Sequence, residues 1–187
     1  DSVLIRRYVA QILSFLIVGG LSSLIFYVNV SLALRNTREE HGRAGLVSRW
    51  SRRILRALIV GASAIVFIIS GIAGASHWED NLLALRGRSF GIEDPTFHRD
   101  VGFYIFVLPV MKGVQSGLLL LVGVTTVAVA IVYLVRLGVR IRSLGDVPWA
   151  ALRHLSGLVA AILLITAFGY WLRNFDLVFS QRGVVIG

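Results

Sequence analysis

Residues Phe90–Pro109 read FGIEDPTFHRDVGFYIFVLP. Phe97, Phe103, Tyr104, Phe106 and Leu108 interleave here with Glu93, Asp94 and Asp100, and Pro95 and Pro109 close the two halves. The stretch is neither a plain apolar run nor an arginine-rich connector. On both sides lie apolar runs of membrane-crossing length, roughly 20 residues. It therefore reads as a structured connector held at a membrane surface, with the remainder of the chain supplying the helices on either side.

Composition agrees. Hydrophobic residues make up 56% of the 187 and charged residues 16%, against about 45–50% and about 25% in soluble domains. The net charge of +9 raises the question of nucleic acid. However, the arginines cluster beside apolar runs rather than along a soluble face, and no recognition motif accompanies them, so no nucleic-acid partner is expected. Cysteine is absent, which excludes disulfides, thiolate catalysis and Cys-based metal sites. Neither a nucleophile elbow, a zinc-protease helix nor a phosphate loop occurs, and no enzymatic activity is expected.

Four spans follow from the runs, at residues 8–34, 57–75, 113–137 and 155–172. The expected fold is all-α, an integral membrane helical bundle forming a single domain over residues 1–187, with a connector at 76–112. The first run is about 27 residues, far longer than the 7–15-residue core of a signal peptide, so it reads as a span. Small residues at Ala57/Gly61 and Ser70/Gly74, and a GxxxG at Gly113–Gly117, allow close helix approach. A continuous helix from Val101 to Leu137 would be about 37 residues, too long for one crossing. Leu108, preceding Pro109, is disfavoured in helix, so the segment is expected to divide there.

Arginines set the orientation. Arg35, Arg38, Arg43, Arg49, Arg52, Arg53 and Arg56 follow the first span, and Arg136, Arg140, Arg142 and Arg153 follow the third, whereas 76–112 is close to neutral. The positive-inside rule places loops 35–56 and 138–154 in the cytoplasm and both ends of the chain outside. Arg6 and Arg7 are the one conflict. Leu46, Val47, Trp50 and Ile54 at helical spacing fit either an interfacial helix among anionic head groups or a solvated basic loop. Trp50, Trp78, Phe103, Tyr104, Trp149, Tyr170 and Trp171 are the expected interface anchors.

No Asp, Glu, Lys, Arg or His falls near a span midpoint, which counts against proton coupling through these helices alone. Asn29 is the most informative polar residue inside a span, and its amide needs a partner across a helix contact or near the interface. His77 and His154 fall at opposite ends of the membrane, unlike paired haem ligands, and no cofactor is expected. Asp94, His98 and Asp100 form a conceivable metal cluster. The simpler reading makes Asp94 an N-cap with Pro95 at the first helical position, and Asp100 a cap for the next turn.

Phe90, Gly91, Asp94, Pro95, Phe97, Asp100, Phe103, Tyr104, Phe106, Leu108 and Pro109 match FG-x-x-DP-x-F-x-x-D-x-x-FY-x-F-x-LP. In this the chain resembles uncharacterised protein family 0182, large multi-spanning bacterial membrane proteins. A second family pattern, YWL-x-x-Y-x-L-x-YS-x-x-G, is met by Tyr170, Trp171, Leu172, Leu177, Ser180 and Gly183. Phe175 and Phe179 stand in place of tyrosine, and Arg173 in place of an acid. The resemblance implies a part of an N-terminal membrane domain in the bacterial cytoplasmic membrane, hence a fragment of a longer chain. It supplies no function. The expected role is a scaffold or anchor that packs against other transmembrane helices or subunits; the alternative is part of a transporter or channel. Because the chain lacks native cysteine, Ser89→Cys and Ser143→Cys test the orientation. The first should label from outside and the second from the cytoplasm, and the reverse pattern would overturn it.

Overall fold

The computed structural model describes residues 2–37, 49–87, 89–95, 97–137 and 147–176. Five α-helices occur among them: α1 (Ser2–Asn36), α2 (Arg49–Ser76), α3 (Trp78–Arg86), α4 (Leu108–Leu137) and α5 (Trp149–Asn174). A π-helical turn, Phe103–Val107, precedes α4. Beyond these, the described residues contain no strand, only an isolated antiparallel bridge between Glu93 and Asp100. The fold is all-α. Leu46, Val47 and most of the two basic loops lie outside the described residues, as does the side chain of Trp50.

Four helical segments among the described residues are long and apolar enough to cross a membrane: Leu4–Asn36, Arg53–Ser76, Phe103–Arg136 and Trp149–Asn174. Their apolar surface is mostly uncovered within the chain. In α5 only 6% of the most apolar window is buried, and Leu163 and Leu164 stand open. Helices apolar on every face are not stable against water; such faces belong against lipid or other helices.

The chain clusters into two compact units. The first comprises Asp1–Trp78 with Leu121–Ala161, the second Glu79–Leu120 with Ile162–Gly187. In the first unit, α1 and α2 form an antiparallel hairpin whose register can be followed contact by contact. The Arg7 guanidinium lies 5.9 Å from the Trp78 ring centre. Phe15 and Phe67 meet edge to face at 5.3 Å, and the Ser23 hydroxyl donates to the Ser63 carbonyl at 3.0 Å. Glycines bring the backbones together. A Cβ on Gly19 would sit 2.6 Å from the Phe67 carbonyl oxygen, and one on Gly74 would sit 2.9 Å from that of Ser14. Below this contact, Phe26, Val30, Ala33 and Leu34 of α1 pack with Ile59, Val129, Tyr133, Ala151 and Leu158 as a shared core.

The second unit is built on Tyr104, Leu108, Leu172 and Phe175, with Phe97, Phe103 and Met111 against them. Here the expected break at Pro109 does not occur. Leu108 keeps right-handed helical angles (φ −59°, ψ −43°), and its N–H donates to the Phe103 carbonyl five residues back. In a regular α-helix the Pro109 ring would clash with the carbonyl of residue 105 and leave it without a donor. A wider π turn immediately upstream relieves that crowding, so the helix passes through the proline. The apolar helical segment therefore begins at Phe103, earlier than the boundary at 113 expected from the proline.

Candidate functional site

In the first unit, a chain of hydrogen bonds ties α1, α4 and α5 together. Asn29 and Asn36 lie seven residues apart, two turns along one face of α1. Tyr133 comes from the last turns of α4, and His154 from the second turn of α5, which Pro148 opens by accepting the N–H groups of Ala151 and Leu152. Asn29 Nδ2 donates to the Ile25 carbonyl at 2.8 Å, which orients the amide so that its Oδ1 faces His154 Nε2 at 3.1 Å. Nε2 must then carry the proton, leaving Nδ1 to accept the Tyr133 hydroxyl at 3.0 Å. The Tyr133 oxygen in turn accepts Asn36 Nδ2 at 3.0 Å. The histidine tautomer is thus assigned from its neighbours.

Every member of this chain is satisfied only while three helices keep one register. Tyr133 is buried and the other members part-buried, and a polar group cut off from both partner and water costs about 1–3 kcal/mol, so the chain acts as a specific fastener between the helices. Beside it lies a cleft of about 430 Å³ whose walls include Asn29, Asn36, Arg153, His154, Leu32 and Leu158. Asn29 is in place as the helix-to-helix contact its position in a span demands. Sequence weighed its partner His154 only as a haem ligand and did not single out Tyr133 or Asn36. The available signals were the seven-residue spacing of the two asparagines and Pro148-Trp149 as a helix start, which moves His154 from a loop into α5.

The second unit holds the acids of the connector. Asp94 acts as a cap: its Oδ2 accepts the Phe97 N–H at 2.6 Å and the Tyr104 hydroxyl at 3.2 Å. Pro95 follows at the first position of a single turn, not of a longer helix. That turn reverses the chain, with His98 at a left-handed φ of 52° and paired bonds from Asp94 N to Arg99 O and from Val101 N to Ile92 O, both 2.9 Å. Asp100 is the hub. It accepts Ser89 Oγ at 2.6 Å, Phe90 N at 3.1 Å, Gly91 N at 2.9 Å and Gly102 N at 2.7 Å. Gly91 takes a φ of +70°, which a side chain would disfavour.

These bonds, led by that from the Ser89 hydroxyl, lower the Asp100 carboxyl from its ordinary 3.8 to about 2. Asp94 Oδ2 and both Asp100 oxygens thus serve as caps, His98 is exposed, and no group of three metal-binding side chains occurs among the described residues. Tyr104, expected as an interface anchor, is buried, and Phe103 packs in the same core. Trp149, Tyr170 and Trp171 are exposed, with Arg173 over the Tyr170 ring at 5.2 Å. Gly74 lies in a tight helix contact, whereas a Cβ on Gly61, Gly113 or Gly117 would meet nothing within 4 Å.

The aromatic half of the connector meets the last helix within this unit. Phe97 and Phe103 lie 5.1 and 5.3 Å from Phe175, and Phe175 in turn meets Trp171 edge-on at 5.0 Å. The two sequence patterns noted above are therefore partly one packed object. Of the second pattern, Leu177, Ser180 and Gly183 lie outside the described residues.

Four helical segments of membrane-crossing length and apolarity among the described residues define the class: a helical membrane protein. More narrowly, the profile of the uncharacterised protein family UPF0182 matches residues 1–187, and the chain belongs to that family. It is 30% identical over 184 residues to a UPF0182 protein of Frankia alni, covering 95% of this chain and 18% of the relative. A UPF0182 protein of Nocardioides sp. is 33% identical over 184 residues, covering 92% and 18%. One of Synechococcus sp. (strain JA-3-3Ab) is 40% identical over 135 residues, covering 70% and 16%. The chain thus spans less than a fifth of these relatives' length. No solved structure matches it.

The Asp100 hub has a direct check in amide exchange. Asn at position 100 keeps one acceptor oxygen, so Asp100→Asn should lower protection at Phe90, Gly91 or Gly102. Because the folded carboxyl lies below its unfolded value, its contribution is present above about pH 4 and is lost as pH falls through about 2. Protection unchanged in the variant at neutral pH would contradict the hub.

Proposed function

We propose that this segment is a membrane scaffold, with no catalysis of its own, that packs against other helices of a larger membrane protein or against partner subunits. The observation that carries this reading is the open apolar surface, extreme in α5, where 6% of the most apolar window is buried. Gly61, Gly113 and Gly117 add faces free of obstruction within 4 Å, which would let further helices approach closely. Interhelical packing in lipid depends on such close fit rather than on a hydrophobic gain. On this reading the segment sits in the bacterial cytoplasmic membrane with both ends outside, and its arginine-rich loops face anionic head groups.

A transporter or channel reading is favoured by one observation, the cleft beside the Asn29–His154–Tyr133–Asn36 chain. The two readings separate experimentally. Photo-crosslinkers at Gly61 and Gly117 of the full-length protein in native membranes should yield discrete crosslinked peptides from other apolar helices. Adducts to lipid alone would contradict the scaffold. Solute or ion flux by the reconstituted protein, abolished by Asn29→Ala without loss of fold, would favour transport instead.

A further inference from the structure

The antiparallel hairpin brings two arginines of different helices to one place. Arg35 lies in the last turn of α1 and Arg56 in the second turn of α2, and both line a cleft of about 270 Å³ between those helices. Tyr27 and Ser31, both hydroxyl-bearing residues, line the same cleft, and Ile59 and Val60 form its apolar side. Among the described residues, no carboxylate lines it. Arginines that merely flank a span meet head groups one at a time. Here two guanidinium groups, each able to grip a phosphate with paired N–H donors, share a concave site with hydroxyl-bearing residues beside them. The wall continues into open apolar surface, since Val60 is 59% exposed and Leu58 64%.

That combination selects an amphiphile: a phosphodiester for the arginines and hydrocarbon for the wall. We propose that the α1–α2 cleft holds the head group of an anionic phospholipid, with Arg35 and Arg56 as its counter-charges. The site rests on the membrane reading of the helices but not on the scaffold role, and its test reads lipid binding alone.

Full-length protein purified in detergent is titrated with phosphatidylglycerol or phosphatidylcholine and the bound lipid counted by native mass spectrometry. Phosphatidylglycerol should bind in preference, a comparison that needs no variant. Arg35→Gln and Arg56→Gln should each weaken it about fivefold. Arg35→Lys with Arg56→Lys, which keeps the charge, should retain more binding than the glutamine pair. Arg6→Gln with Arg7→Gln, at the other end of the hairpin, should leave this site's occupancy unchanged. Inorganic phosphate and glycerol 3-phosphate at matched concentration should not displace the lipid. Equal binding of the two lipids would overturn the proposal, as would equal losses from the two glutamine pairs. Displacement by soluble phosphate would also overturn it, by showing a site for free phosphate rather than lipid.

Discussion

Contact between the backbones of α1 and α2 is the constraint on which the first unit depends. Gly19 faces the Phe67 carbonyl, Gly71 the Phe15 ring and Gly74 the Ser14 carbonyl, each too close to admit a Cβ without movement. In lipid, where burying an apolar side chain gains little, helices associate through such shape fit and through polar contacts that have no water to compete with them. The Ser23–Ser63 bond adds one of these. Once the hairpin is closed, α1 presents Asn29 and Asn36 on one face and Arg35 near α2 on another, so the two clefts described above follow from this register.

The second unit is organised by carboxylates rather than glycines. Asp100 gathers three backbone N–H groups and one hydroxyl, and Asp94 caps a single turn while receiving Tyr104. Both therefore fix the path of a connector that would otherwise carry unpaired backbone donors into a helix start.

The four spans were legible because hydrophobic length is a local property, read from one run at a time. The caps were legible for the same reason: Asp94-Pro95 and Asp100 carry their signal within a few residues. Pro109 was misread because the rule for the residue before proline assumes α-helical spacing, and the π turn at Phe103–Val107 changes that spacing. The glycine contacts show a different limit. Gly61, Gly113 and Gly117 have the small-residue spacing yet meet nothing within 4 Å, while a Cβ on Gly19 would meet a backbone oxygen at 2.6 Å. Spacing marks a smooth face but does not say which face has a neighbour. His154 was hidden because its partners, Asn29 and Tyr133, are 125 and 21 residues away in sequence.

Gly19 and Gly20 provide the most direct measurement of the central claim, since they are neighbours in one helix. Both should gain about 0.5–1 kcal/mol of intrinsic helix stability on conversion to alanine. They differ in surroundings: a Cβ at Gly19 meets a backbone oxygen at 2.6 Å, whereas one at Gly20 meets nothing within 4 Å. The measurement is the thermal unfolding midpoint of the full-length protein in detergent, for Gly19→Ala and Gly20→Ala side by side. Close backbone packing of α1 on α2 predicts that Gly19→Ala unfolds at a lower temperature than the unchanged protein and Gly20→Ala at an equal or higher one. Equal midpoints for the two variants, or a higher midpoint for Gly19→Ala, would contradict it.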